Sequence, residues 1–316
     1  MDDLIDELLG DDLFFLRRDA LACGLGDKAL ARLRREGVLH RVRHGAYTRR
    51  SHWRSLDQAG RHLLRARCSV RAACSDVALS HTSAALAMGC PVWGIALDDV
   101  HLLRLDGRGG RREAGVCQHH HSYVQEDLVM SGGILVTSPA RTCLDLTTIT
   151  GVERALVVVD HLLHRGEVSK EDLLRRRRDM PYRPGSLTTG LTLSLADGRS
   201  ESVGETRLRY LLWRGGLPSP VPQFPVTTGD RVLYRLDLAW PELGVWLEFD
   251  GRDKYVSYLR PGESVVDVVL REKRREEDIA RRTGWRCIRV TWRDLADPGR
   301  LVARIAAALA GGPVAA

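Results

Sequence analysis

Along the chain the spacing of apolar positions changes rhythm three times. Residues 17–23 have helical spacing and stop at Gly24. Residues 28–36 repeat it, with Leu30 and Leu33 facing inward, Asp27 placed to cap the first turn and Gly37 to close the last. Two short runs of strand character follow, 38–42 and 45–48, with Arg43, His44 and Gly45 at the bend. Helix, turn, helix and basic hairpin predict a winged helix-turn-helix over residues 1–55.

Residues 56–180 have a different texture. The stretch 57–73 is helical in pattern, and 77–89 holds Ser80-His81-Thr82-Ser83-Ala84-Ala85, a helix start with Ser80 as its cap. Short apolar runs lie at 99–105, 115–120 and 133–136. Thr137-Ser138-Pro139-Ala140-Arg141-Thr142 combines a cap with proline in the first helical turn and leads into 143–147. An apolar helix is predicted at 152–163. The whole reads as a small α+β domain. Four arginines at 175–178, then Pro181, Pro184, Gly185 and polar residues up to Ser200, mark a linker at 181–199.

The last third starts again with a cap, Ser202, and a helix at 205–214 stopped by Gly215-Gly216. Extended runs at 223–226, 232–240 and 244–250 precede a charged helical stretch at 267–283, a strand at 285–292 and a helix at 301–309. The order α-β-β-β-α-β-α predicts an α/β core over 200–316, and the chain as a whole a multidomain α+β protein.

Composition adds exclusions. With 316 residues and 44% apolar content the chain can bury ordinary cores, which excludes wholesale disorder. No run approaches the roughly 18 apolar residues of a membrane span. Residues 1–10 are acidic and lack the basic and apolar regions of a signal peptide, so the expectation is a cytoplasmic protein with no membrane partner. Seven scattered cysteines, an odd count without a C-x-x-C, argue for reduced thiols and against a disulfide framework or zinc ribbon.

Charge changes the picture more. The net charge is +7, yet residues 16–54 alone carry eleven Lys and Arg against three acids, a net of +8, leaving −1 for the rest. A field this concentrated suits a polyanion. Lys28, Arg32, Arg34 and Arg35 belong to the predicted recognition helix, and Arg41, Arg43 and His44 to the wing. Double-stranded DNA is the expected partner, held mainly through its phosphates.

The chemically loud segment is Arg235-Leu236-Asp237-Leu238-Ala239-Trp240, a Pro241-Glu242 turn, then Val245-Trp246-Leu247-Glu248-Phe249-Asp250. Alternation puts Glu248 and Asp250 on one strand face. A hairpin about the turn lets Asp237 join them. Carboxylates in apolar strands are costly to bury. A divalent cation is one remedy, and oxygen-rich sites suit Mg²⁺ or Mn²⁺. Glu205 is a fourth candidate acid, and Lys254 and Lys273 are candidate cations. Metal ions so held can activate water and neutralise a scissile phosphate. The plainer reading is salt bridges to Arg235, Arg252 or Arg271.

At Asp237, Glu248-x-Asp250-Gly251, the basic helix after them and Gly284-Trp285-Arg286-Cys287-Ile288-Arg289-Val290-Thr291-Trp292, residues 200–310 resemble the PD-(D/E)XK nuclease superfamily. The resemblance is to its very-short-patch-repair-like branch, with a restriction-endonuclease-like fold. It implies metal ligands at Asp237 and Glu248 and a helix-borne acid at Glu205. The family's lysine, two residues after the second acid, is here Asp250. Lys273 could supply the missing charge. If the site is catalytic, Glu205 and Asp250 would support the metal or orient water, with Lys273 or Lys254 at the transition state.

The first 180 residues resemble a second family. The N-terminal basic segment, Gly37-Val38-Leu39, Arg43-His44-Gly45-Ala46-Tyr47 and the two middle-domain motifs above look like AbiEi-type antitoxins and regulators. That resemblance implies DNA binding through the winged helix and opposition to a nucleotidyltransferase toxin. Two function readings follow: a Mg²⁺-dependent DNA endonuclease, or a non-catalytic regulator or antitoxin with a degenerate nuclease fold. Two other constellations carry less. His119-His120-His121 alternate between strand faces, so they are expected to be an exposed run and not one metal site. Ser80, His81 and Asp145 lack the Gly-x-Ser-x-Gly elbow of a hydrolase.

Overall fold

A computed structural model describes residues 2–180, 183–250 and 265–311. The chain divides into two compact units, Met1–Arg154 with Glu171–Thr189, and Ala155–Lys170 with Gly190–Ala316. It is a mixed α+β protein whose described residues form three sheets. Among the described residues no helix is long and apolar enough to cross a membrane.

The first unit opens with α1 (Asp2–Leu9), β1 (Phe15–Leu16), α2 (Arg17–Ala22), α3 (Asp27–Arg35), β2 (Leu39–Arg43) and β3 (Ala46–Arg49). The strands form an antiparallel sheet in the order β1-β3-β2, with Tyr47 paired to both Phe15 and Arg41. Ile5, Leu9, Phe15, Leu30, Leu33, Leu39 and Tyr47 make one core, so the two inward leucines of α3 hold it against the hairpin. The hairpin turns at His44-Gly45, where glycine takes φ +73° without a Cβ penalty. The cap of α3 is Gly26, not Asp27. The Asp27 carboxylate is drawn off by Arg17, at 2.7 and 2.5 Å.

Next come α4 (Arg50–Ser55), α5 (Gln58–Ala72), β4 (Val77–Leu79), α6 (His81–Ala87), β5 (Val100–Arg104), β6 (Arg111–Glu113), β7 (Val116–His119), β8 (Leu128–Ser131), β9 (Ile134–Thr137) and α7 (Pro139–Ile149). A mixed six-stranded sheet runs β6-β7-β5-β4-β9-β8. Residues 77–79, which precede the predicted cap Ser80 and receive no element from sequence, are its buried inner strand. Burial of all three side chains favours a central strand over an amphipathic helix. Ser138 caps α7 as its spacing predicts, accepting from the Arg141 N–H.

The elements α8 (Val152–His164), α9 (Lys170–Asp179) and α10 (Thr189–Leu195) follow. The segment read as a linker, 181–199, therefore carries a helix that buries Leu193.

The second unit is built on α11 (Val203–Arg214), β10 (Val221–Thr228), β11 (Arg231–Trp240), β12 (Val245–Asp250), α12 (Val265–Thr283), β13 (Arg286–Thr291) and α13 (Pro298–Leu309). The sheet order is β10-β11-β12-β13, with the first two pairings antiparallel and β12 parallel to β13. The parallel pair requires a crossover, and α12 lies within it. Leu208, Leu212, Leu238, Leu247, Ile288 and Ile305 join α11 and α13 to one side of the sheet. Ala239, Trp246 and Ile279 join α12 to the other.

One close approach fixes α11. A Cβ on Gly204 would stand 2.0 Å from Phe249 Cε1. Gly204→Ala is expected to destabilise the second unit by about 1–3 kcal/mol through overpacking. Urea unfolding followed by tryptophan fluorescence measures it. An unchanged midpoint would mean that α11 backs away freely.

Candidate functional site

The carboxylate site sits on the α12 side of the four-stranded sheet. Leu238 pairs with Leu247 and Ala239 with Trp246, and a turn at Pro241–Leu243 ends on Gly244 at φ +60°. Continuing that register sets Asp237 opposite Glu248 on one face. Asp237 is 9% exposed, and its Oδ2 accepts the Phe249 N–H at 2.7 Å. Asp237, Glu248, Asp250, Arg235, Arg275 and Arg289 line an open cleft of about 410 Å³, with Gln223 at its border.

Glu205 reaches this region from the first turn of α11. The Ser202 hydroxyl donates to Glu205 Oε1 (2.8 Å) and accepts from the Glu205 N–H (3.2 Å). The Glu201 N–H and the Gln223 side chain both donate to Glu205 Oε2, at 3.1 and 3.0 Å. Burial first, and then the charge of Asp237, push the Glu205 carboxyl above its usual range. Two acids that disfavour each other's ionisation lower their cost by sharing a proton or a cation.

Cations approach the cleft from α12 and β13. Arg275 Nη1 lies 3.2 Å from Glu248 Oε2, and its Nη2 donates to the Arg235 carbonyl at 2.6 Å. Burial opposes the Arg275 charge, but Glu248, with Glu272 and Asp237, outweighs it and holds the guanidinium above its usual range. Arg289 stands 3.9 Å from Asp250 and 2.8 Å from Glu276. Lys273 is exposed and does not line the cleft. Helix geometry explains this. Residues 271, 275 and 279 share a stripe at i, i+4 spacing and Ile279 is buried, whereas 273 is turned away from that stripe. Arg275, which the sequence analysis does not name, is the α12 cation that meets Glu248. Lys254 lies outside the described residues.

The oxygens of Asp237, Glu248 and Glu205 are hard donors of the kind Mg²⁺ and Mn²⁺ take. Arg275 already balances part of that charge at Glu248. The site can thus neutralise a phosphate with arginines and offer carboxylates to a cation or a water.

The basic face belongs to α3 and the β2–β3 hairpin. Lys28, Arg32, Arg34, Arg35, Arg41 and His44 are exposed and Arg43 is half-buried. Arg32 has a loose partner, Glu36, at 3.8 Å. The neighbouring cations are more firmly engaged. Arg17 pairs with Asp27, Arg49 with Asp2 and Asp6, and Arg67 with Asp12. The acidic α1, whose sequence serves above only to exclude a signal peptide, thus neutralises Arg49 at the end of β3 and leaves the cations of α3 and the hairpin turn exposed.

The histidine run behaves differently from expectation. His120 is exposed, but His119 and His121 are half-buried, and the His119 ring stacks 3.8 Å from that of His81. The partners of His119 come from other elements, His81 at the start of α6 and His101 on β5, which spacing within one strand does not show.

This basic N-terminal part is where the chain meets a known class. Residues 3–50 match the family model described as transcriptional regulator, AbiEi antitoxin, so the N-terminus carries a domain similar to that class. Two uncharacterized proteins of Mycobacterium tuberculosis, from strains H37Rv and CDC 1551, are each 27% identical over 238 residues. The alignment spans 75% of this chain and 84% of theirs.

Proposed function

We propose that the chain is a DNA-binding transcriptional regulator of the antitoxin type, with residues 1–55 acting as a winged helix. The observation that carries the reading is the exposed cationic face of α3 and the hairpin, within the segment that matches the regulator family. In this reading α3 enters the major groove and the β2–β3 wing tracks the adjacent backbone. A nucleotidyltransferase toxin is the proposed protein partner. The test is binding of the full chain to duplex DNA from upstream of its own reading frame, against a scrambled duplex, over a range of salt. Binding to neither duplex at low salt would sink the proposal.

A second reading concerns the second unit, and the convergence of Asp237, Glu248 and Asp250 on one cleft favours it. The strand order, the parallel β12–β13 pair and the helices on both faces support a restriction-endonuclease-like fold. Asp237 and Glu248 would hold Mg²⁺ or Mn²⁺, with Glu205 and Asp250 in support and Arg275 in the place first given to Lys273. Bound metal would supply Lewis-acid activation of water and phosphate. The expected result is Mg²⁺-dependent DNA cleavage that falls at least about 100-fold in Asp237→Ala and Glu248→Ala, as loss of a metal ligand predicts. Tight DNA binding with no cutting in Mg²⁺ or Mn²⁺ would leave the regulator reading alone.

A further inference from the structure

At the junction of β4 and α6 the backbone is strained. The chain passes Ser80 and enters the helix at His81, a non-glycine residue held at φ +49°. Such a conformation costs about 1–3 kcal/mol and persists only where the surroundings enforce it. Ser80 stands in the cap position but makes no cap. Its hydroxyl lies 3.0 Å from His81 Nδ1 instead. The His81 side chain is buried, and its Nε2 has no hydrogen-bond partner among the described residues. Leaving a buried polar atom unsatisfied costs about 1–3 kcal/mol. Strain and an orphan nitrogen at one residue call for a ligand.

Two more imidazoles meet it. The parallel pairing of β5 and β7 sets Leu103 beside His119 and His101 beside Cys117, so His101 and His119 share a sheet face. His101 Nδ1 lies 2.9 Å from His119 Nε2. Each of His81, His101 and His119 has a ring nitrogen within 4.8 Å of those of the other two. Burial, with the neighbouring histidines, holds the imidazoles below their usual range, His101 and His119 at about 4, which favours the neutral rings.

The surroundings are built to hold these rings. The backbone N–H of His101 donates to Ser83 Oγ at 2.9 Å. His62 Nδ1 lies 3.1 Å from the Leu97 carbonyl, so it carries the proton, and His62 Nε2 accepts from the Ser83 hydroxyl at 2.8 Å. Arg183, whose charge acts on His81 and His119, is met by Asp145 at 2.6 Å. Asp145 also acts on His119, and its Oδ2 has no hydrogen-bond partner among the described residues.

We propose that His81, His101 and His119 form a three-imidazole site for a divalent transition metal, and that Zn²⁺ is the metal it takes. Imidazole is a borderline ligand that suits zinc, and an all-nitrogen set disfavours Mg²⁺ and Ca²⁺. Three nitrogens leave one position of a tetrahedral shell for water. The ion would satisfy His81 Nε2, offset the strain at φ +49° and tie the β4–α6 turn to β5 and β7. Ser80 would act as the outer partner that fixes the His81 ring.

The test uses the tag-free full chain, stripped with a chelator and dialysed. Added Zn²⁺ should remain at one equivalent per chain through gel filtration and raise the melting temperature. Co²⁺ should give the intense visible absorption of a tetrahedral site. His101→Gln and His119→Gln should each weaken Zn²⁺ binding by at least about tenfold, the loss expected for a ligand that outweighs an outer-shell partner. His120→Gln, at the exposed member of the run, should leave it unchanged. Absence of stoichiometric uptake and of a cobalt band in the wild type would overturn the proposal, as would wild-type affinity in both variants. If the variants do not fold, the wild-type cobalt spectrum and zinc-dependent melting shift decide the matter.

Discussion

Replacing Arg32, Arg34, Arg35 and Arg41 together by alanine is expected to weaken duplex DNA binding by roughly two to three orders of magnitude and to flatten its salt dependence. Each lost phosphate contact removes about 0.9 from the slope of log K against log salt, so four contacts remove up to about 3.6. All four side chains are exposed, and none belongs to the Ile5–Tyr47 core, so the fold should tolerate the change. Arg17 and Arg49 supply the contrast. Their guanidinium groups are paired with Asp27 and with Asp2 and Asp6, so their removal should cost DNA affinity less. Fluorescence anisotropy at several salt concentrations separates the outcomes. An unaltered slope in the quadruple variant would place the DNA-binding surface elsewhere.

That contrast also shows what sequence can and cannot reveal. The +8 of residues 16–54 is legible by counting, but which cations remain available depends on which acids fold against them, Asp27 on Arg17 and Asp2 and Asp6 on Arg49. The convergence of Asp237, Glu248 and Asp250 is legible because two alternating strands flank a short turn, and a period of two admits one face. Arg275 is legible in principle, one helical turn before the buried Ile279. Lys273, two residues away, lies off that stripe and is exposed. The strand at 77–79 is hidden because three apolar residues carry no period, and only the sheet around them decides. His81, His101 and His119 are separated by 20 and 18 residues and meet through the order of β7, β5 and β4, which no local pattern encodes. Ser80 shows the same limit. Its spacing predicts a cap, yet the hydroxyl serves the neighbouring imidazole.

The second large effect concerns stability. Arg141→Met is expected to destabilise the first unit by about 3–5 kcal/mol, because it leaves buried carboxylates short of a partner. Arg141 is fully buried. Its Nε donates to Asp145 at 2.9 Å, and its Nη1 donates to Asp127 at 2.8 Å and to the Ser122 carbonyl at 3.0 Å. Arg176 and Arg183 also serve Asp127 and Asp145, which limits the loss but cannot replace a guanidinium between the two acids. Adding Asp145→Asn to Arg141→Met should recover part of the loss, since the orphaned charge is then gone. Acid probes the same cluster. Burial pushes the Asp127 carboxyl up, but the Arg176 hydrogen bond, the Val124 N–H and the Arg141 charge together hold it below the usual range. A depressed folded pKa gives stability that is present above about pH 4, the unfolded aspartate range, and is lost as pH falls below it. Urea unfolding of the first unit should therefore show a smaller acid loss below pH 4 in Asp127→Asn than in the wild type. Equal acid losses would mean that Asp127 is not the group titrating, and an Arg141→Met variant as stable as the wild type would mean that methionine packing compensates for the buried ion pairs.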